Sequence, residues 1–396
     1  MKPLTKKSLL TLSVMAGIAM GASGTASAAG ITEAITGGKA KADFRLRMET
    51  VEQDNAREDA SSLTLRSRLG YGTAEYKGFS GYMEFEHVTA LDDDYSIPGG
   101  ADQTYSIVAD PEGAELNQMY LKYSFGETSV MAGRQRLILD NARFVGNVGW
   151  RQNEQTFDAL TISSKALEDT VLTYGYIDQV NEIFATENDV AAHLFNASYS
   201  GLPGKITGYA YLIEQKEKTA SSTSTMGLRY AGAVGDAVKF NLEYATQSDY
   251  KDGNSDIDAD YYLVEVIGKV STFNLKLGYE VLGGDDVGGF ETPFATKHAF
   301  NGWADIFLNT PDDGLADFYL SASTKVAGAK LMAVYHDYSA ETGSDDYGSE
   351  INLLAVKKYG KNYTALLKYA SYSAGDDSRA TDVDTDKLWL MGQMKF

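Results

Sequence analysis

Asp43-Phe44-Arg45-Leu46-Arg47-Met48-Glu49 alternates charge with apolar bulk at every step. In an extended chain successive side chains leave opposite faces. Phe44, Leu46 and Met48 then share one surface, and Asp43, Arg45, Arg47 and Glu49 share the other. The next segment repeats the pattern. Leu63, Leu65, Leu69 and Tyr71 share a face with Ser67, while Thr64, Arg66 and Arg68 take the opposite one. A row of guanidinium groups cannot enter a dry core without a large desolvation cost. One face therefore needs water, and the other needs lipid or a second sheet.

The two-residue period continues from Lys39 to Phe396. Short turns fall near Lys77-Gly78, Gly126-Glu127, Leu167-Asp169, Leu202-Gly204, Val234-Gly235, Ser271-Thr272, Val326-Gly328 and Tyr359-Lys361. Between them lie longer polar connectors, among them 52–60, 91–113, 137–154 and 283–314. Eight short turns alternating with nine long loops join eighteen strands. That arrangement predicts an all-β protein: a transmembrane antiparallel β-barrel of about 18 strands, with short periplasmic turns and long extracellular loops. Segment 283–313 carries Phe294, His298, Phe300, Trp303 and Phe307. A strand there would break the short/long parity, so it reads as a long outer loop, partly helical or folded over the pore. The last strand sets Leu388, Leu390, Met394 and Phe396 on one face. A terminal Phe after alternating apolar residues is similar to the signal by which bacterial barrels engage their assembly machinery.

The chain begins with a segment of a different kind. Lys2, Lys6 and Lys7 precede an uncharged apolar stretch, and Ala26-Ser27-Ala28 supplies a small-x-small cleavage site, so residues 1–28 read as a secretory signal peptide. Residues 29–38 form a short periplasmic lead-in, and 39–396 form one barrel domain. Removing the three signal lysines takes the net charge from −20 to −23. So acidic a chain is a poor partner for nucleic acid, which calls for a concentrated basic surface. With no Cys, disulfides, thiolate nucleophiles and Cys-ligated metals are excluded. No metal site and no cofactor are expected. The acidic runs, such as Asp92-Asp93-Asp94 and Asp345-Asp346, lack the spacing of a calcium loop and read as solvated outer-loop surface facing lipopolysaccharide and lipid.

Arginine is distributed unevenly. Nine of the 11 fall between positions 45 and 151. With the apolar faces toward lipid, Arg45, Arg47, Arg66, Arg68, Arg134 and Arg136 point into the lumen; each would cost about 2–4 kcal/mol on the lipid face at mid-bilayer. Two readings compete. The cluster guides anions, since guanidinium forks suit carboxylates. Alternatively it balances Glu49, Glu84, Glu86, Glu115 and Asp158 on nearby strands. Loop 138–154 carries Asp140, Asn141, Arg143, Trp150, Arg151 and Glu154, with Gly146 and Gly149 permitting a tight path. It reads either as a constriction folded into the pore, with Trp150 free to stack on a sugar ring, or as a loop whose Arg143 and Arg151 tie it to the wall through Asp140, Asp158 or Glu154. The many Tyr residues, including Tyr209, Tyr211, Tyr244 and Tyr372, are expected chiefly in the aromatic girdles and in packing, with a pore-facing sugar slide the lesser reading.

The stretch Ala132-Gly133-Arg134-Gln135-Arg136-Leu137-Ile138-Leu139-Asp140-Asn141-Ala142-Arg143-Phe144-Val145-Gly146-Asn147-Val148-Gly149-Trp150-Arg151-Gln152-Asn153-Glu154-Gln155-Thr156-Phe157-Asp158 resembles the characteristic segment of the alginate-export family of outer-membrane porins. Gly38 to Glu49, Ala299 to Phe307 and Gly314 to Ala340 agree with it. The resemblance implies an 18-stranded barrel in the bacterial outer membrane. Together these readings predict a porin passing small anionic or sugar-like solutes through an Arg-lined lumen. The alternative is a dedicated exporter of an anionic polysaccharide such as alginate. A structural or adhesive barrel is a weaker reading. So is an outer-membrane enzyme, since no Gly-x-Ser-x-Gly occurs and the four His residues lie in no catalytic pattern.

Overall fold

The computed structural model describes residues 28–235, 237–254, 257–285, 288–379 and 382–396. The signal peptide expected over 1–28 lies, but for its final residue, outside them. Eighteen antiparallel strands form one closed sheet. They run Lys39–Gln53 (β1), Ala60–Gly72 (β2), Phe79–Asp94 (β3), Gly113–Phe125 (β4), Thr128–Gln135 (β5), Thr156–Ser164 (β6), Thr170–Asn181 (β7), Glu187–Leu202 (β8) and Gly204–Gln215 (β9). The second half comprises Thr223–Val234 (β10), Val238–Asp249 (β11), Asp258–Val270 (β12), Phe273–Leu282 (β13), Leu315–Val326 (β14), Ala329–Ser339 (β15), Asp346–Tyr359 (β16), Tyr363–Ser373 (β17) and Thr385–Lys395 (β18). Each strand pairs with its neighbours in sequence, and β1 closes the sheet against β18. Phe396 and Ala42 exchange backbone hydrogen bonds at 2.9 and 3.2 Å, so the seam is paired to the last residue. Closure leaves no unpaired edge.

Alternation decides which way each strand faces. Leu46, Leu69, Phe85, Leu228, Val264, Leu277, Leu320, Leu353 and Leu390 are exposed on the outside, while Arg47, Glu49, Arg66, Glu86, Asp317 and Glu350 are buried within. That inversion suits a bilayer, where closed strands satisfy their backbone groups and the apolar side meets acyl chains. The short turns are built for the tight reversal. Ala327 and Gly328 both take positive φ, 49° and 78°, the backbone of a two-residue hairpin whose twist matches the strands.

Among the described residues, segment 283–313 contains no strand. It carries one turn of 3-10 helix, Lys297–Ala299, and folds into the lumen, burying Phe290, Phe294, Trp303 and Phe307. With loop 136–155 it packs against the inner wall from β6 to β18 in one apolar cluster that includes Phe144, Phe157, Ile177, Tyr261 and Trp389. Tyr209, Tyr211 and Tyr372 belong to that cluster, where they serve packing and not a girdle. This part of the lumen is thus packed like the interior of a soluble protein. The lead-in 29–38 begins as a helix, Ala28–Thr36 (α1), docked beside the β2–β3 turn, where Ala74 N donates to Ala34 O.

Candidate functional site: the basic wall and the two inward loops

The register of β1 on β2 sets Arg45 directly opposite Arg66. Like charges so placed repel unless something negative intervenes. Loop 136–155 supplies it as carbonyl oxygens. Arg45 donates to Gly149 O, Trp150 O and Arg151 O at 3.0–3.2 Å, and Arg47 to Trp150 O at 2.6 Å. Arg66 and Arg68 both donate to Gln152 O, at 3.4 and 3.3 Å. The β1–β2 arginines therefore hold the loop inside the barrel by its backbone. Gln152 answers by donating its side-chain amide to Thr64 Oγ1 at 2.8 Å.

Carboxylates complete the network. Arg47 pairs with Asp110, Arg66 with Asp43, and Arg68 with Glu86 and Glu154. Arg134 takes Asp158 in a bidentate contact at 2.8 and 3.2 Å, and Arg136 bridges Glu84 and Glu154. Arg45, Arg47, Arg66 and Arg68 are buried; Arg136 keeps a third of its side chain exposed. This corrects the picture of six water-facing arginines. Charge balance describes Arg47, Arg66, Arg68 and Arg134, with Glu49, Glu84, Glu86 and Asp158 serving as expected. Glu115 stands opposite Glu86 on β3, and one of its buried oxygens has no hydrogen-bond partner. Burial alone would raise the Glu154 carboxyl, but Arg68, Arg136 and the Asn117 amide hold it down to about 2.

Arg143 and Arg151 do tie the loop to the wall, though through other partners than expected. Arg143 pairs with Glu280 on β13 at 2.8 Å and donates to Asn301 at 3.0 Å. Arg151 pairs with Glu49 on β1 at 3.0 Å and with Asp305 at 2.8 Å. Asp140 instead accepts from Asn196 and Lys205, and Asn141 accepts from the Arg143 backbone. Trp150 is unavailable to a sugar. One face stacks on His298 with centroids 4.9 Å apart and planes 5° apart, and Lys368 Nζ sits 4.0 Å from the ring centroid. Lys368 lies equally close to Trp303 and donates to His298 Nε2 at 2.5 Å, while His298 Nδ1 meets Asp305 at 2.6 Å. Burial lowers the His298 pKa to about 3 despite Asp305, with Lys368 pushing the same way. The imidazole is neutral at physiological pH.

Two main cavities remain. The outer one, about 620 Å³, is lined by Ile183, Phe184, Ile306, Arg151, Lys297 and Lys387 among others. The inner one, about 370 Å³, is lined by Lys41, Arg45, Arg68, Arg136 and Lys395 against Asp43, Glu84 and Glu154, with Phe396 at its rim. The far wall is acidic: Glu243, Glu265, Glu280, Asp317 and Glu350 are buried there with partners. Loop 136–155 contains Val148 at φ 48°. A β-branched residue in the left-handed region costs on the order of 1–3 kcal/mol and persists only where its surroundings impose it. The Val148 amide donates to Thr296 Oγ1 at 3.0 Å, and Arg151 N donates to Val148 O at 3.2 Å. Among the described residues no group of three His, Asp or Glu is placed to hold a metal ion.

Several of these residues escaped the sequence reading: Asp110, Glu280, His298, Asp305, Lys368 and Trp389. For Lys368 and Trp389 a signal existed, since each sits one step out of phase with lipid-facing neighbours such as Leu367 and Leu390. Loop residues carry no period, so nothing local marked Asp110 or Asp305.

A closed barrel of eighteen strands, apolar outside and charged within, with inward loops narrowing the lumen, defines an outer-membrane porin. Solved structures share this fold. OpdO of Pseudomonas aeruginosa superposes with a TM-score of 0.70 at 14% identity, covering 92% of this chain and 99% of that one. OpdK of Pseudomonas aeruginosa, solved with vanillate, gives 0.70 at 16%, covering 90% and 98%. OccAB2 of Acinetobacter baumannii gives 0.69 at 15%, covering 92% and 99%. No curated protein matches the chain. The family described as alginate export matches residues 38–285, and the chain belongs to that family. It is a channel of the bacterial outer membrane.

Proposed function

We propose that the channel passes small anionic solutes, collected in the outer cavity and handed along the β1–β2 side of the lumen to the inner one. The carrying observation is the lining of the inner cavity, where five cationic side chains face three acidic ones. Buried arginines contribute field even when paired, since the partners of Arg45 are carbonyl dipoles rather than whole charges. The acidic far wall sets a transverse gradient that holds anions against the basic side. Rings and rows of Lys and Arg favour anion passage in this way. OpdK, solved with vanillate, shows that a barrel of this fold accommodates a small carboxylate. Export of a polysaccharide would need a continuous bore, and loop 136–155 lies across it.

Outer-membrane lipid and lipopolysaccharide are the partners of the exposed apolar band and the acid-rich outer loops. Phe396, exposed beside the seam, would engage the barrel-assembly machinery. Residues 29–38 serve as a periplasmic lead-in.

Reversal potentials in asymmetric salt test the anion reading. The unmodified channel should prefer anions, less so as salt rises, because screening shortens the field to about 8 Å at physiological strength. K41Q/K395Q should shift the reversal potential toward cations. Both side chains are largely exposed, so the buried network is left intact. Cation preference in the unmodified channel would overturn the proposal.

A further inference from the structure

The helix α1, Ala28–Thr36, is docked on the barrel by one side only. Nine residues are too few for a helix to persist by propensity alone, so its contacts hold it. Gly30 lies on the Tyr76 ring, where a Cβ would come within 2.4 Å of Cε2, and Ala74 N donates to Ala34 O at 2.9 Å. Near its end the Tyr71 hydroxyl donates to Ile35 O. Gly37 N then closes the helix on Glu33 O at 2.8 Å, and β1 begins at Lys39. Helical spacing puts Gly30 and Ala34 on the docked side, Ile31 and Ile35 one turn apart on a second side, and Glu33 away from both isoleucines. Ile31 is 45% exposed and Ile35 54%, as open as the lipid-facing Leu46 at 44% and Leu69 at 56%.

The surroundings of α1 say what covers those isoleucines. Tyr71 stands on the outward side of β2 two residues beyond Leu69, and it is exposed. Beside the β2–β3 turn, Tyr123 stacks on Phe79 and on Phe125, with centroids 4.4 and 5.4 Å apart, and Ser124 N donates to Gly78 O. Such an aromatic row marks the level of the lipid headgroups. The helix lies at that level, since it meets Tyr71 and Tyr76 directly. Among the described residues the inner cavity takes no lining from α1, so the helix lies outside the bore. We propose that α1 is an interfacial anchor, which lays Ile31 and Ile35 into the periplasmic leaflet of the outer membrane and turns Glu33 to water. Its partner is a phospholipid surface, continuous with the apolar band that already surrounds the strands. Apolar side chains gain by leaving water at the headgroup boundary, and a docked helix needs no further ordering to do so. The anchor ties the start of β1, the strand of Arg45 and Arg47, to the leaflet. It rests on the barrel's place in the membrane and not on the solute that passes.

Fluorescence in liposomes tests this on the whole chain. The sequence has no cysteine, so I31C, I35C and E33C each carry one thiol for a nitrobenzoxadiazole label. All three sites are exposed and outside the strands, so the barrel should form in each, as checked by the heat-shifted gel band. Phosphatidylcholine brominated near the top of its acyl chains should quench the label at I31C and I35C by about half relative to unbrominated lipid, and at E33C little. Aqueous iodide should quench in the reverse order. Equal lipid quenching at all three sites, or none at I31C and I35C, would overturn the anchor. So would a disulfide-linked dimer of unlabelled I35C in the same liposomes, which would assign this side of the helix to a second copy of the chain. The readout needs no current, so a failed anchor leaves the anion reading standing, and a cation-selective channel leaves the anchor standing.

Discussion

Lys297 shows how a single side chain in the outer cavity can carry a titration. It sits partly buried on the 3-10 turn of the second inward loop, and its ammonium donates to Asn309 at 3.0 Å. Burial lowers its pKa to about 8; Glu291 and Glu182 oppose the shift, and Arg143 adds to it. The charged form therefore dominates below about pH 8 and fades above it. Anion selectivity should fall as pH rises from 7 to 9, and K297M should show the weaker selectivity at both ends. A selectivity that stays flat over this range in the unmodified channel would remove Lys297 from the path. Trp150 illustrates the converse. Its sequence context advertises a free aromatic, but the stacked His298, the Lys368 ammonium bonded to that imidazole and the Arg47 guanidinium already take up the ring.

At the scale of elements, the two inward loops and the wall are clipped together at one arginine. Arg151 belongs to the first loop, Asp305 to the second and Glu49 to β1; Arg151 and Glu49 are buried, and the Asp305 side chain is nearly so. Removing one partner from a buried charge cluster typically costs about 3–5 kcal/mol, because the remaining charges lose their counterpart without regaining water. R151M, which keeps apolar bulk, should lower the denaturant midpoint by that order and make single-channel current noisier as the loops loosen. R57A is the control: Arg57 lies half-buried on the first outer loop, away from the lumen network and bonded to Gln103, and should change stability by no more than about 0.5 kcal/mol. Equal stability of both variants would mean the loops are held by apolar packing alone. The strands themselves need no such clip, since each is paired on both sides.

For the whole molecule, closure is the governing fact. Every strand has two neighbours, so unfolding must open the ladder at the cost of backbone groups that lipid or detergent cannot satisfy. The folded barrel should survive mild detergent without boiling, migrate differently from the heated chain on a gel, and give strand-dominated circular dichroism. A single band at all temperatures would contradict a closed barrel. Closure also explains how a chain of net charge −20 presents a basic path. The first strands bring their arginines together on one sector, while acidic runs such as Asp92-Asp93-Asp94 and Asp345-Asp346 fall at the outer ends of the strands and in the outer loops.

What the sequence determined by itself was everything that follows from period two. The alternation at 43–49 and 63–71, carried through to Phe396, established strand number, facing and the even short/long rhythm of connectors. It also put Arg45, Arg47, Arg66 and Arg68 inside, because a guanidinium on the lipid side would be too costly. Tertiary structure alone decided what those arginines do there. Their partners, the carbonyls of 149–152, the Asp110 carboxylate and the loop carrying Asp305, lie tens to hundreds of residues away, in segments with no periodicity to read. A strand's facing is a local property of its own alternation. The path of a loop depends on which distant charges and cavities the closed barrel happens to offer, and those exist only once the sheet has closed.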